Sequence, residues 1–247
     1  MASCNATCWP TVPPMADRAR EQSLAAARAV DEVRDGMLVG LGTGRTVAFA
    51  VRAIAARMRG GLKIAATATS SATEALARSL GIVPVPFERV ARVDLTIDGA
   101  DEIDRHLRAI KGGGGALLRE KVVAATSDRM IVIADGGKLV DVLGRHPLPV
   151  EVLPFAAASV ERALSAFGVP APRRHAPDGA DYRTDQDAYI YDLAFGAIAD
   201  PDAIARRLEA IPGIIGHGLF LGLVDAAYVA DGENVRVLER PMPSNRR

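Results

Sequence analysis

The sequence predicts an α/β protein, a doubly wound main domain carrying a smaller α+β domain. Three observations predict it. Short apolar runs alternate with stretches of helical period over residues 17–146, the pattern of strands and helices in a parallel sheet. Runs such as "MLVGLGTGRT" and "VDLTIDGADE" end directly in glycine or acidic loops, as strands do at the ligand-bearing edge of such a sheet. From Pro147 the order becomes strand, helix, strand, helix, strand, which suits a small domain with helices on one face.

The elements follow in order. Asp17 to Arg34, with alanines, Leu24 and Val30 at helical spacing, reads as an amphipathic helix closed near Asp35-Gly36. "MLVGLG" is a buried strand, and "VAFAVRAIAARM" after the Thr43–Thr46 turn is a helix. "LKIAATA" is the next strand, and "SSATEALARSLG" a helix with Ser71 and Glu74 as a capping box and Gly81 as its stop. "IVPVP" reads as a short strand, "VDLTI" as a strand, "GGGGALLREKVVAAT" as a glycine loop entering a helix, and "RMIVIA" as a buried strand. In the small domain "PVEVLPF", "AYIYDLAF" and "GIIGHGLF" are strands, and "SVERALSAFG" and "PDAIARRLEAI" helices. "AAYVADGENVRVLE", with its Asp-Gly turn, returns to the main domain. The expected division is a flexible extension over residues 1–16, a main domain of 17–146 plus 221–247, and a small domain of 147–220.

Composition excludes several classes. The 247 residues carry no formal net charge and are 49% hydrophobic and 24% charged, so no basic field favours nucleic acid or anionic lipid. No apolar run approaches the roughly 20 residues of a spanning helix. The start, "MASCNATCWPTVPP", lacks the basic and apolar regions of a secretory signal, and Met15 is an alternative start. Cys4 and Cys8 have no second Cys/His cluster nearby to complete a metal site; a reducing, cytoplasmic setting is expected.

Chemistry concentrates in "TIDGADEIDRHLRAIKGGGGALLREK", Thr96 to Lys121. Asp98, Asp101 and Glu102 begin where an apolar run stops. A solvated Asp-Gly turn and a site for a hard cation are the alternatives to a substrate site. Lys111, close behind, is a poor neighbour for a cation and a good one for a developing oxyanion. Gly112 to Gly115 let the backbone approach a ligand closely. For Glu120 and Lys121, spacing alone favours an exposed helix face. Of 30 basic residues only Lys63, Lys111, Lys121 and Lys138 are lysines, which points to places needing a compact charge in preference to a guanidinium fork. Two of them, Lys111 and Lys138, fall at strand-end loops.

The loop "GLGTGRT" leaves N–H groups free at a helix start, a place for phosphate. It is neither a Walker loop nor a full G-x-G-x-x-G; a structural turn and a nucleotide loop stay open. His106, His146, His175 and His217 lack metal spacing and read as structural or exposed, and Tyr191 and Asp192 are assigned no chemistry.

Taken together, "GLGTGRT", "TSSATEALARSLGI", "TIDGADEID", "IKGGGGALLREK", "IVIADGGKLV" and "LPVEVLPF" closely resemble ribose-5-phosphate isomerase of the A type, from about Ala25 to "DGENVRVL". The resemblance implies a Rossmann-like main domain and a ferredoxin-like small one. It implies interconversion of ribose 5-phosphate and ribulose 5-phosphate without metal or cofactor, as a homo-oligomer, a homodimer first and a homotetramer second. By the same resemblance Thr43, Gly44, Arg45 and Thr46 form the phosphate-side loop. Asp98, Gly99, Ala100 and Asp101 form the acidic substrate loop, and Lys111, Gly112, Gly113 and Gly114 the lysine-glycine loop. Glu120 is the catalytic base and Lys138 a second substrate lysine.

The chemistry of the reaction fits those residue types. One desolvated carboxylate, Glu120, can carry a proton from C2 to C1, and Lys111 can stabilise the enediolate oxygens. Asp98 suits acid/base work in ring opening, and Asp101 orienting hydroxyls or holding Lys111. The chain departs from the family pattern at Arg45, where a small hydroxyl residue is usual; a contribution from its backbone N–H is favoured over one from its side chain. Gly136-Gly137 before Lys138 is a second departure. A non-catalytic sugar-phosphate sensor, an amino-sugar phosphate deaminase and a CoA transferase are the competing readings. The sensor would need a DNA-binding helix pair for which neither end has room or charge.

Overall fold

The computed structural model describes residues 15–240; the expected N-terminal extension up to residue 14, with Cys4 and Cys8, lies outside the described residues. In chain order the elements are α1 (Met15–Val30), β1 (Leu38–Leu41), α2 (Arg45–Arg59), β2 (Ala65–Ala68), α3 (Ser71–Ser79), β3 (Leu95–Gly99), β4 (Glu102–Asp104), β5 (Ala109–Ile110), α4 (Leu117–Ala125), β6 (Met130–Asp135) and β7 (Leu139–Val140). They continue with β8 (Leu148–Val152), α5 (Ala157–Leu164), β9 (Tyr189–Leu193), α6 (Pro201–Glu209), β10 (Ile214–His217), β11 (Leu219–Phe220), β12 (Ala226–Asp231) and β13 (Asn234–Glu239).

The main sheet runs β13-β12-β6-β3-β1-β2, parallel throughout except for the antiparallel edge strand β13. Its inner strands are buried on both faces, and all six residues of β6 are inaccessible, which is why they read as unbroken apolar runs. On one face Ala25 and Ala29 of α1 and Val51 and Ile54 of α2 pack with Ile97 and Ile131 of the sheet. On the other, Ala124 of α4 joins Met130, Val132 and Val229. From β1 the chain moves one way to β2 and later the other way to β3. The crevice between the carboxyl ends of β1 and β3 is therefore the switch point where such sheets place ligands.

A second sheet, β10-β8-β9, is antiparallel. Val150 and Val152 of β8 pack with Val160 and Leu164 of α5 and Leu208 of α6. A third sheet, β11-β5-β4-β7, joins the two. The sequence gives no sign of it, because strands of two or three residues are too short to show an alternation.

Two expectations are corrected. "IVPVP" forms no strand: Val85 N–H donates to Ala66 O at 2.7 Å and Thr67 Oγ1 to Val85 O at 3.0 Å, but Pro84 and Pro86 have no N–H to extend the ladder. The cap of α3 is Ser70, whose hydroxyl accepts from Thr73 N–H at 3.1 Å. Glu74 does not reach back in a capping box; it pairs with Arg78 at 2.7 Å, one turn on.

Candidate active site

Two loops meet at the switch point. Gly42 follows β1, and a side chain there would overlap the Asp98 carboxylate at the end of β3. Asp98, fully buried, accepts from Thr43 N–H at 3.0 Å and Gly99 N–H at 2.7 Å through Oδ1. Its other oxygen lies 3.0 Å from Lys111 Nζ. The glycine loop thus folds over a buried carboxylate and opens α2 at Gly44 with no side-chain cap and no acid in the first turn. The first amides of α2 are left for an anion. Thr43 does not aim its hydroxyl into the cleft; it bonds Thr69 Oγ1 at 2.8 Å and Ser70 Oγ at 2.9 Å.

Lys111 enters from β5 and Glu120 from the first turns of α4. Lys111 Nζ donates to Gly99 O at 2.5 Å and lies 3.3 Å from Glu120 Oε2. Lys111 is 2% and Glu120 4% exposed, so the exposed helix face expected for Glu120 from spacing alone is wrong, while Lys121 is partly buried. Tertiary contacts of α4, invisible to a periodicity count, decide this.

One cation between two buried carboxylates sets the electrostatics. Burial and the neighbouring charge of Asp98 push the Glu120 carboxyl up to about 8, with Lys111 opposing. Burial works against the Lys111 ammonium, but Asp98 and Glu120 outweigh it and its pKa is raised. A charged lysine therefore stands beside a carboxylate that becomes basic near neutrality.

A cleft of about 450 Å³ is lined by residues 43–46, 99–101 and 111–114 together with Glu120 and Lys138. Every residue that the resemblance assigns to the site is there except Asp98, which touches the lining from behind through Lys111 and the amides of Thr43 and Gly99. Asp101 accepts from Gly113 N–H at 2.7 Å and is not one of the carboxylates paired with Lys111. Glu102, adjacent in sequence, points away and anchors residues 144–146 by accepting from Gly144 N–H at 2.7 Å and His146 N–H at 2.6 Å. Arg45 is exposed and Lys138 half-exposed at the rim.

Two further residues line the cleft that sequence reasoning missed. Gln22 of α1 donates to Asp135 Oδ2 at 3.1 Å, and His146 sets Nε2 3.9 Å from Asp101 Oδ1. Neither has a spacing signal; His146 is brought in by the anchor on Glu102. A second cleft of about 420 Å³ lies between the β2 edge and α4, lined by Thr67, Val85, Phe87, Leu118 and Val122 with Glu74, Glu88 and Arg119. It contains no buried charge. Among the described residues no cluster of His, Cys, Asp and Glu has metal-site geometry, and no helix is long and apolar enough to cross a membrane.

Comparison with known proteins points the same way. The family model described as ribose 5-phosphate isomerase A (phosphoriboisomerase A) matches residues 65–234. Ribose-5-phosphate isomerase A of Sphingopyxis alaskensis is 54% identical, covering 92% of this chain and 99% of that protein. The protein of that name from Bradyrhizobium diazoefficiens is 49% identical over 89% and 95%. The solved ribose 5-phosphate isomerase A of Methanocaldococcus jannaschii superposes with a TM-score of 0.85 at 35% identity, covering 90% of this chain and 99% of that one. A D-ribose-5-phosphate isomerase in complex with phospho-erythronic acid gives 0.87 at 34% identity over 90% and 99%. With a buried Lys111–Glu120 pair at the floor of the switch-point cleft and these likenesses running nearly its whole length, the chain belongs to the ribose 5-phosphate isomerase A family.

Proposed function

We propose that the protein interconverts D-ribose 5-phosphate and D-ribulose 5-phosphate through an enediolate, with Glu120 as the proton shuttle. The observation that carries this reading is the buried Lys111–Glu120 pair, 3.3 Å apart, in a cleft whose other side is the uncapped start of α2. The substrate phosphate takes the amides of residues 45 and 46, where the helix dipole favours an anion. That leaves C1 and C2 toward Lys111 and Glu120.

Ring opening needs an acid/base in the cleft. Asp101 and His146 line it, whereas Asp98 is behind Lys111; in this reading Asp101 serves ring opening and Asp98 holds Lys111. Ionised Glu120 then removes the C2 proton, and the electron pair moves into a C1–C2 double bond as the C1 carbonyl becomes an oxyanion. Lys111 stabilises the charge as it forms. The O2 hydroxyl proton passes to O1, Glu120 returns its proton to C1, and the C2–O2 bond becomes the carbonyl. Phospho-erythronic acid, a phosphorylated sugar acid, carries the planar pair of oxygens that such an enediolate presents, and its binding to a relative supports the reading.

Lys111 occupies the space between the carboxylates that a divalent cation would need, so turnover by this route survives a chelator. Residues 17–146 with 221–240 form the catalytic unit and 147–220 the smaller one in this reading; 241–247, also expected in the catalytic unit, lie outside the described residues. The protein acts as a homo-oligomer, a homodimer first, with the exposed Leu153 and Phe155 beyond β8 as an apolar edge for the contact; light scattering tests the mass.

The deciding experiment measures ribulose 5-phosphate formation in excess chelator beside Glu120→Gln. Expected is chelator-resistant turnover that falls by about 10³-fold in the variant with substrate binding retained. Binding without turnover by the parent protein would overturn the reading in favour of a sensor.

A further inference from the structure

We propose that Arg174, oriented by Asp192 and assisted by Tyr182, is a positioning residue for this isomerisation. From the side of the three-stranded sheet it fixes the peptide planes of Gly112 to Gly114 and so sets Lys111 and Glu120 against the substrate. The inference rests on the isomerase reading.

Arg174 lies in the segment before β9, where its N–H donates to Ile190 O at 2.8 Å. Its guanidinium makes a two-sided bridge. Nε and Nη2 donate to the two oxygens of Asp192 at 2.8 and 2.5 Å, and Nη1 donates to Gly112 O at 3.0 Å and Gly113 O at 3.1 Å. Tyr182, whose ring lies under that guanidinium at 5.7 Å, donates its hydroxyl to Gly114 O at 3.2 Å. Three consecutive carbonyls of the loop are thus bound from outside the cleft. Only a planar fork with five donors can face a carboxylate and two carbonyls at once.

The consequence inside the cleft follows from peptide geometry. In a trans peptide C=O and N–H point in opposite directions. Holding Gly112 O outward turns Gly113 N–H inward, where it donates to Asp101 Oδ2 at 2.7 Å. Holding Gly113 O outward turns Gly114 N–H to the same side. Gly114 lines the cleft, and its N–H makes no hydrogen bond among the described residues, leaving a donor for the substrate. A cation on the carbonyl end also polarises each peptide unit and strengthens its N–H as a donor. Without the clamp, the four glycines between Lys111 and α4 would keep only the turn bond from Gly115 N–H to Gly112 O at 2.9 Å and the bond from Gly113 N–H to Asp101. Gly115, at φ 81°, closes the loop against Tyr182 so tightly that a β-carbon there would overlap the hydroxyl.

The test compares Arg174→Ala, Arg174→Lys, Asp192→Asn and Tyr182→Phe with the parent enzyme in kcat, KM and amide exchange across residues 112–116. Arg174→Ala is expected to lower kcat by about 10- to 100-fold, the scale of a small misplacement of reacting groups, with KM changed less than about threefold. Arg174→Lys stays near Arg174→Ala because an ammonium cannot make the bridge, and added guanidinium ion restores part of the loss. Asp192→Asn costs less, and the double variant is no worse than Arg174→Ala, since both remove one coupled unit. Loop amides exchange faster in Arg174→Ala while those of β6 do not.

The proposal is overturned if folded Arg174→Ala keeps kcat within about twofold of the parent, if its loop amides exchange as before, or if the two losses simply add. Should Arg174→Ala fail to fold, Asp192→Asn and Tyr182→Phe carry the same test; unchanged kcat and unchanged loop exchange in both would overturn it. An inactive parent enzyme would overturn the isomerase reading, and the amide-exchange arm would still decide the clamp.

Discussion

Lys111 and Lys121 stand over the same aromatic ring, 5.4 and 5.2 Å from the centre of Phe220, yet their surroundings drive them in opposite directions. Lys111 has two buried carboxylates within 3.3 Å and holds its proton more tightly than usual. Lys121 donates to His217 O at 2.7 Å, with His217 Nδ1 at 3.3 Å, and among the described residues its counter-charge is Glu209, two-thirds exposed beyond the histidine. Burial lowers it to about 8. Burial alone makes a lysine give up its proton more readily; burial with carboxylates in contact holds the proton on and raises the basicity of whichever carboxylate is left over. In the proposed function the first cluster moves charge during the reaction; the second fastens α4 to β10.

The largest effect separating the two comes from deleting each ammonium. Lys111→Met leaves Asp98 and Glu120 buried without a counter-charge, and is expected to cost about 3–5 kcal/mol in urea unfolding and about 10²–10³-fold in turnover. Lys121→Met should cost less, about 1–3 kcal/mol, since it removes the bond to His217 O but strands no buried carboxylate. Equal losses in both would break the comparison.

Next comes pH. As a base Glu120 must be ionised, so kcat/KM is expected to climb with slope one below its apparent pKa and flatten above about 8. The same raised pKa means that folded protein binds more protons than unfolded between about 4.5 and 8, so this group's contribution to stability falls as pH rises through that window. The second cluster has the opposite sign. Burial and Lys121 lower His217 to about 4 from 6.5, so the unfolded chain binds the extra proton. Stability from this group is full above 6.5 and is lost as pH falls toward 4, by a few kcal/mol. His217→Gln should flatten that acid limb in unfolding curves without moving the pH–rate profile.

The smallest effect is expected at Arg45. With the α2 amides holding the phosphate, Arg45→Ala should raise KM less than about fivefold and leave kcat alone; a larger rise would assign the phosphate to the side chain.

How much of this was legible follows from where the signals lie. Asp98 and Lys111 could be read because each sits where an apolar run meets a loop, and the parallel sheet gathers such junctions at one edge; Glu120, which spacing puts on an exposed helix face, was legible only through the family resemblance. Asp101 was legible as a cleft residue but not its partner, since only the folded loop shows Gly113 N–H turned toward it. Arg174 and Asp192 were illegible. Arg174 meets Gly112 and Gly113 across some 60 residues of chain, and Asp192 acts on them only through Arg174, by a strand register that one-sequence periodicity does not encode. His146 was illegible for the same reason, being drawn in by Glu102. The lysine count was a partial signal: Lys111 and Lys138 line the cleft and Lys121 bonds His217 O behind it, but scarcity does not tell a reacting lysine from a fastening one.

The bare start of α2 has a consequence beyond binding. Gly44 supplies no side chain to the first-turn amides, and no acid stands there to oppose the dipole, so this chain leaves one helix end unfinished, and in the proposed function the substrate phosphate completes it. Whatever fills that end binds the native state alone and draws the folding equilibrium toward it in proportion to the logarithm of its concentration. In a cell, the abundance of the folded protein would then track the supply of sugar phosphate: starvation of the substrate would shorten the life of the catalyst, with no regulator required.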